Sequence, residues 1–286
     1  MTFAYSRPAS LDEALAILRG RPDARVLSGG TDLLVAVQKG AVRPSLVVDV
    51  KSVPELGGGI TELDGGLRVP ASTVITDLVA HPLVVAHFPA LVEAALVVGS
   101  IQIRNRATLA GNVCNASPAA DTVPPLLVHR AEVELIGEAG RRRLPLDGFL
   151  LGPGRTALEP AELVAALWLP LPSGPMGTAF GRMTRRRGVD LATVNLACAV
   201  DDQGTSTFAY GAVGPRAFVA RDATGALADP STDGDRRDEL LRELAAPASP
   251  ITNVRATREY RRDMLLVLSR RALDTSLRRL REAGNA

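Results

Sequence analysis

The sequence predicts an α+β protein built in two unlike halves, and three observations carry that reading. Residues 25–49 run strand, glycine loop, helix, strand, which is the order of a small parallel unit. Residues 194–200 and 205–213 are two apolar runs close enough to pair as antiparallel strands. Tyr260, Met264, Leu268, Leu277 and Leu280 recur near helical spacing, which predicts long C-terminal helices with one apolar, core-facing side.

Composition narrows the function classes. The 286 residues allow two or three domains with cores of their own, and 46% hydrophobic content is that of a globular protein. No apolar run approaches the roughly 20 residues of a membrane span. The opening Met1-Thr2-Phe3-Ala4-Tyr5 lacks the basic-then-apolar layout of a signal peptide, so a cytoplasmic protein is expected. A net charge of +2 gives no nucleic-acid footprint. The cations are almost all arginine, and the only lysines are Lys39 and Lys51. Two cysteines, Cys114 and Cys198, cannot ligate a Cys₄ iron–sulfur cluster, and no Cys/His spacing reads as a zinc site. Cys114 is expected as a small packed residue, with a place beside a bound ligand as the alternative. The scattered His81, His87 and His129 read as surface or helix-end residues. No triad, acid–base pair or metal-ligand set is legible, so no catalytic side chain is expected.

In chain order, Ser10-Leu11-Asp12-Glu13 is a capping box opening a helix whose face is Ala14, Leu15 and Leu18. Residues 25–27 are expected as the first strand, 31–39 as a helix ended by Gly40, and 45–49 as an apolar strand. Gly57-Gly58-Gly59 marks a boundary between lobes. Residues 60–69 read as a hairpin around Asp64-Gly65-Gly66. Residues 72–77 enter a helix, and 89–98 form another that ends at Gly99. Residues 131–136 and 141–146 pair as strands, with Arg141-Arg142-Arg143 on a solvated edge. Residues 162–169 form the last strand of this half, and 170–175 a linker. Residues 215–253 are rich in Ala, Asp and Pro, with helical patches.

Two loops concentrate the polar chemistry. Val26-Leu27-Ser28-Gly29-Gly30-Thr31-Asp32-Leu33 leads from an apolar strand through adjacent glycines, whose successive N–H groups can converge on an anion. Residues 104–127 read as a turn, a short extended piece, a second turn and a helix start. In them Gly111-Asn112 tolerate positive φ and allow close approach to a ligand. Ser117-Pro118 would open the helix, and Asp121 would lie in its first turns. Neither loop carries the Walker lysine or the G-x-G-x-x-G spacing. Two phosphate-compatible loops without acid–base machinery point to an extended phosphorylated cofactor.

At these residues the chain resembles the FAD-binding (medium) subunits of molybdenum hydroxylases, the xanthine dehydrogenase and carbon monoxide dehydrogenase family. The matching motifs are Ser28-Gly29-Gly30-Thr31-Asp32-Leu33, against A-G-G-T-D-L, and Arg104 through Leu126, against R-N-x-A-T-x-G-G-N-x-x-x-A-S-P-x-x-D-x-x-P-x-L. The likeness also takes in the opening Phe3 to Pro8, the segment Phe180 to Ala192 and the region from Arg255 to Leu273, nearly the whole chain. Ala110 stands where the family has glycine, and Arg182 where it has lysine. Positive φ would strain an alanine, and a guanidinium is no compact point charge.

The resemblance implies a two-lobed FAD-binding domain of the vanillyl-alcohol-oxidase (PCMH) type, as residues 1–57 and 58–174. An α+β C-terminal domain with an antiparallel sheet and helices would follow at 175–286. It implies FAD as cofactor. The backbone of Val26, Leu27, Ser28, Gly29, Gly30, Thr31, Asp32 and Leu33, with that of Thr108, Leu109, Ala110, Gly111 and Asn112, would hold the pyrophosphate and ribityl chain. Asp121 would take cofactor hydroxyls, and Val98, Ile103, Val164 and Arg182 would line the flavin. It also implies partners: a large molybdenum-cofactor subunit and a small [2Fe–2S] subunit, in a heterotrimer or its dimer. Electrons would leave for NAD⁺, O₂ or another acceptor. Two rival readings are a stand-alone flavin-dependent reductase and a scaffold subunit that has lost FAD. Copurifying molybdenum and iron separate the complex subunit from the first, and flavin absorbance separates it from the second.

Overall fold

A computed structural model describes residues 3–284; Met1 and Thr2, which open the sequence, lie outside the described residues. Three sheets succeed one another along the chain. The first is parallel, in the order β1-β3-β2, from Ala4–Ser6 (β1), Arg25–Leu27 (β2) and Leu46–Asp49 (β3). The strand at Arg25–Leu27 is therefore not the first. Tyr5 pairs with Val47 on one side of β3 while Arg25 pairs with Val47 on the other, so the sheet needs the opening residues to cover that edge. Helix α1 (Leu11–Gly20) begins at the expected box: Glu13 N–H donates to Ser10 Oγ at 3.2 Å and Ala9 N–H to Glu13 Oε2 at 2.8 Å. Such a cap stabilises a helix by about 1 kcal/mol. Helix α2 (Leu33–Gln38) follows β2.

The second sheet is antiparallel, in the order β4-β5-β10-β6-β7. Its strands are Thr61–Leu63 (β4), Gly66–Pro70 (β5), Glu132–Gly137 (β6), Gly140–Pro145 (β7) and Leu163–Pro170 (β10). Asp64 and Gly65 turn the first hairpin with φ of +47° and +75°, the left-handed pair that matches strand twist. The arginines of β7 lie along the edge as expected. Arg142 pairs with Glu162 at 2.7 Å, and the Arg143 guanidinium lies 4.3 Å from the Trp168 ring centre. Between β5 and β6 run six short helices: α3 (Ile75–Ala80), α4 (Pro82–His87), α5 (Pro89–Leu96), α6 (Ile101–Arg104), α7 (Leu109–Cys114) and α8 (Val123–Val128). Helix α9 (Leu146–Phe149) and the small ribbon of Leu150–Gly152 (β8) and Arg155–Thr156 (β9) close this part.

The third sheet is antiparallel, β11-β12-β13-β14, from Met176–Met183, Val194–Asp201, Ser206–Gly211 and Phe218–Asp222. The sequence reading found β12 and β13 and missed their flanking partners. β11 carries Gly177, Gly181 and Arg182, and β14 alternates without a clean apolar face. Helix α10 (Gly234–Ala245) and one 27-residue helix, α11 (Arg258–Gly284), cover one face. A single helix thus replaces the several expected. Its buried side is Leu265, Leu268, Ala272, Leu273 and Ser276, and Tyr260 is exposed.

Strand β12 is buried on both faces, which explains its unbroken apolar run. Val194, Leu196, Cys198 and Val200 face the helices α10 and α11. Ala197, Ala199 and Ala209 instead join the core of the first two sheets. Period-two alternation places Asn195 and Gly211 on that same inner face. His129 lies at a helix end as expected but is buried, its ring edge-on to Phe88 at 4.7 Å. Its pKa is pushed down to about 4 by that burial. Among the described residues no helix is long and apolar enough to cross a membrane.

Candidate cofactor-binding site

The end of β2, the loop after it, helices α6 and α7, the turn before α8, strand β10 and the 182–191 hairpin enclose a cleft of about 840 Å³. That volume suits a large organic cofactor.

In the first loop Gly30 takes φ +79°, a backbone open to glycine. Gly29 is there for a different reason from the one the sequence implied. A Cβ on it would stand 2.2 Å from Arg106 O and 2.8 Å from Ala107 Cα, so the two loops pack backbone to backbone. Ser28 Oγ and Thr108 Oγ1, 3.2 Å apart, join them again by a hydrogen bond. Lys51, one of the two lysines, reaches Ser28 O at 3.3 Å and Asp49 at 2.7 Å, and it lines the cleft.

The second loop departs from its expected shape. The short extended piece is helix α7, with Thr108 as its cap: Gly111 N–H donates to Thr108 Oγ1 at 3.0 Å. Gly111, Asn112 and Ala110 are therefore not in positive φ, and Ala110 carries none of the strain expected of it. The left-handed residue is Ala116, at +46°. Ser117-Pro118 do not open the next helix either. Ser117 Oγ instead accepts from Ala119 N–H at 3.3 Å in a local turn, and α8 starts at Val123, where Pro124 and Pro125 occupy first-turn positions that need no N–H. Asp121 thus lies in the turn ahead of α8. Thr122 Oγ1 donates to Asn112 Oδ1 at 2.7 Å and ties that turn to α7.

Of the eighteen predicted site residues, all line the cleft except Leu27 and Leu109. Both point into the core, Leu109 with no exposure at all. Val164 reaches the cleft where the β10–β6 register shifts between Val164 and Ala166. Arg182 spans the mouth: it donates to Val97 O at 3.4 Å and to Asp190 O, and its Nε lies 3.3 Å from Asp121 Oδ1. Asp121 is buried, and burial raises its pKa to about 6 against the opposing effects of Asn195 and Arg182. Cys114 also lines the cleft, its thiol pushed up to about 12 by burial, which removes thiolate chemistry near neutral pH. Sequence reasoning missed Lys51, Asn195 and the Arg186–Leu191 side of the cleft. A lone asparagine in an apolar strand was the legible signal for Asn195, since a buried amide needs a partner.

The donor set fits a pyrophosphate. Among the described residues no acceptor takes the backbone N–H of Gly29, Gly30, Thr31, Asp32, Leu33 or Ala110, all of which line the cleft. No group of three or more His, Cys, Asp or Glu side chains is placed among them to hold a metal.

Comparison with known proteins agrees with this geometry. Residues 1–172 match the FAD binding domain in molybdopterin dehydrogenase, and residues 179–276 the CO dehydrogenase flavoprotein C-terminal domain. The chain belongs to this family of FAD-binding dehydrogenase subunits. The xanthine dehydrogenase FAD-binding subunit of Escherichia coli O157:H7 is 29% identical over 96% of both chains. The carbon monoxide dehydrogenase medium chain of Hydrogenophaga pseudoflava is 30% identical over the same shares. A reconstituted CO dehydrogenase from Oligotropha carboxidovorans superposes with a TM-score of 0.90 at 28% identity, covering 98% of this chain and 99% of its own. The chain is thus a flavoprotein medium subunit of an oxidoreductase, and its cofactor is FAD.

Proposed function

We propose that the chain is the electron-transfer subunit of a three-part molybdenum hydroxylase. In that reading it takes electrons from the [2Fe–2S] clusters of a small partner subunit and delivers them, by way of bound FAD, to NAD⁺, O₂ or another acceptor. A large partner subunit holds the molybdenum cofactor and selects the substrate. The observation that carries the reading is the cleft with its row of uncommitted backbone N–H groups.

Bound FAD supplies hydride and single-electron chemistry; the chain's residues position it and exclude water. The N–H groups of residues 29–33 and of Ala110 would neutralise the pyrophosphate without a lysine. Asp121 would accept a hydrogen bond from a cofactor hydroxyl. Val98, Ile103 and Val164 would give the ring an apolar seat, with Arg182 as the fixed positive charge beside it. Support for the partner assignment comes from family membership and from the chain itself, whose cysteines are too few for the clusters.

The test is purification of the chain with its native partners, followed by flavin, iron and molybdenum analysis. One FAD per chain, with four irons and one molybdenum per complex, would support the proposal. Flavin alone, in a chain that binds no partner, would return the stand-alone reductase.

A further inference from the structure

The C-terminal domain carries a row of three residues beside the turn that holds Asp121. Arg182 of β11, Asn195 of β12 and Gly211 of β13 are successive cross-strand neighbours, paired Arg182 with Asn195 and Asn195 with Gly211. The row lies at the end of the inner face that also carries Ala197, Ala199 and Ala209. Asn195 is fully buried. Its Nδ2 donates to Asp121 Oδ1 at 2.8 Å and to Ala120 O at 3.4 Å, so two acceptors fix which way the amide points. Its Oδ1 is buried without a partner. That oxygen fits only because residue 211 is glycine: a Cβ there would stand 2.1 Å from it. The next residue, Ala212, takes φ +60°, which costs a non-glycine residue strain, and its N–H donates to Pro118 O at 2.7 Å. Sheet three therefore grips the turn of residues 118–121 at both ends.

An unpartnered amide oxygen and a left-handed alanine are expensive for a merely structural contact between two layers. They are understandable if the position of one carboxylate matters. Asp121 Oδ1 is taken by Asn195 and faces Arg182, no described residue donates to Oδ2, and Asp121 lines the cleft. We infer that Asn195 is a positioning residue for FAD: from the C-terminal domain it holds the Asp121 carboxylate so that its second oxygen meets a hydroxyl of the cofactor. The inference rests on the proposed contact between Asp121 and FAD. It makes cofactor affinity and docking of the two domains reciprocally linked, although Asn195 and Gly211 do not line the cleft.

The experiment compares the full-length wild-type chain with N195A, G211A and N195A/G211A, stripped of flavin, by FAD titration and by thermal melting without FAD. N195A and G211A are expected to weaken FAD binding at least tenfold. In the double variant the added methyl fills the space the amide left, so the melting temperature recovers while FAD binding stays weak. A purely structural Asn195 would recover both together, and that result overturns the inference. So does an N195A Kd within twofold of wild type. The charged group facing Asp121 is Arg182 from β11, and the other facing group is the neutral Asn195 from β12. Losing the amide removes an interaction that favours the carboxylate, so the pH at which FAD affinity falls is expected to move upward in N195A; an unmoved profile counts against positioning. A wild-type chain that takes up no FAD sinks the reading of the cleft itself, which is a different outcome from wild-type binding that N195A retains.

Discussion

Replacing Gly29 with alanine tests whether the two cofactor loops are one packed unit. The added methyl would meet Arg106 O at 2.2 Å, Ala107 Cα at 2.8 Å and Arg106 C at 2.9 Å, all backbone atoms with no rotamer to escape into. Restoring ordinary contact requires the loops to part by about 1 Å. The Ser28–Thr108 hydrogen bond, already 3.2 Å long, would then exceed hydrogen-bond range. Overpacking of this kind costs about 1–3 kcal/mol. For a unit of this size that is a fall in melting temperature of roughly 2–12 °C. The displaced N–H groups should also weaken FAD binding by about tenfold, or about 1.4 kcal/mol. The assay is a melt of the flavin-free chain together with a fluorescence titration of FAD. A Gly29→Ala chain that melts and binds like wild type would refute the reasoning, because the loops could not then be in backbone contact.

Four further outcomes are expected. Gly111→Val projects into the cleft from α7, where an added Cβ meets only Thr108 Oγ1, at 2.8 Å; it should block FAD while leaving the fold mostly intact, and stoichiometric FAD in the purified variant would count against the second loop as a cradle. Asp121→Ala should weaken FAD binding by about 1–3 kcal/mol. The raised pKa of Asp121 contributes stability that is present below its unfolded value and lost as pH rises through about 6, so the flavin-free variant should lose no stability at pH 7 through this charge; urea midpoints check it. His129 has the opposite sign. Its pKa is lowered to about 4, so its contribution is present above the unfolded value near 6.5 and disappears as pH falls through 4, about 3 kcal/mol in all, and His129→Leu should show a correspondingly shallower acid loss in urea melts. In Gly177→Ala the new Cβ would stand 1.8 Å from Ser276 O and 2.6 Å from Leu280 N, so α11 must lift from β11; a variant with wild-type melting behaviour would show that the helix does not cross there.

Much of the fold was legible because its signals are local. The capping box at Ser10, the Asp64-Gly65 turn and the apolar runs of β3, β10 and β12 each announce themselves within a few residues, and each stands where the sequence put it. β11 and β14 were not legible, because they are strands by virtue of pairing with β12 and β13 rather than by pattern. Residues 108–114 looked extended because Gly-Asn reads as a turn. The Thr108 cap and the packing of Leu109, Ala110 and Val113 into the core make a helix of them instead.

At the site, the residue types and their spacing sufficed to identify two cofactor loops and to place nearly all their residues on one cleft. Paired glycines and polar residues set between apolar runs are signals read within a few neighbouring positions. Tertiary structure alone decided why those residues are needed. Gly29 is small for the sake of Arg106, 77 positions later in the chain, as the contact at 2.2 Å shows. Asp121 is poised by Asn195 and Arg182, from strands 74 and 61 residues downstream. Local propensity is written in neighbouring residues. The packing clearance at a glycine and the protonation of a buried carboxylate depend on whatever the fold brings within a few ångströms, and no stretch of sequence carries that information by itself.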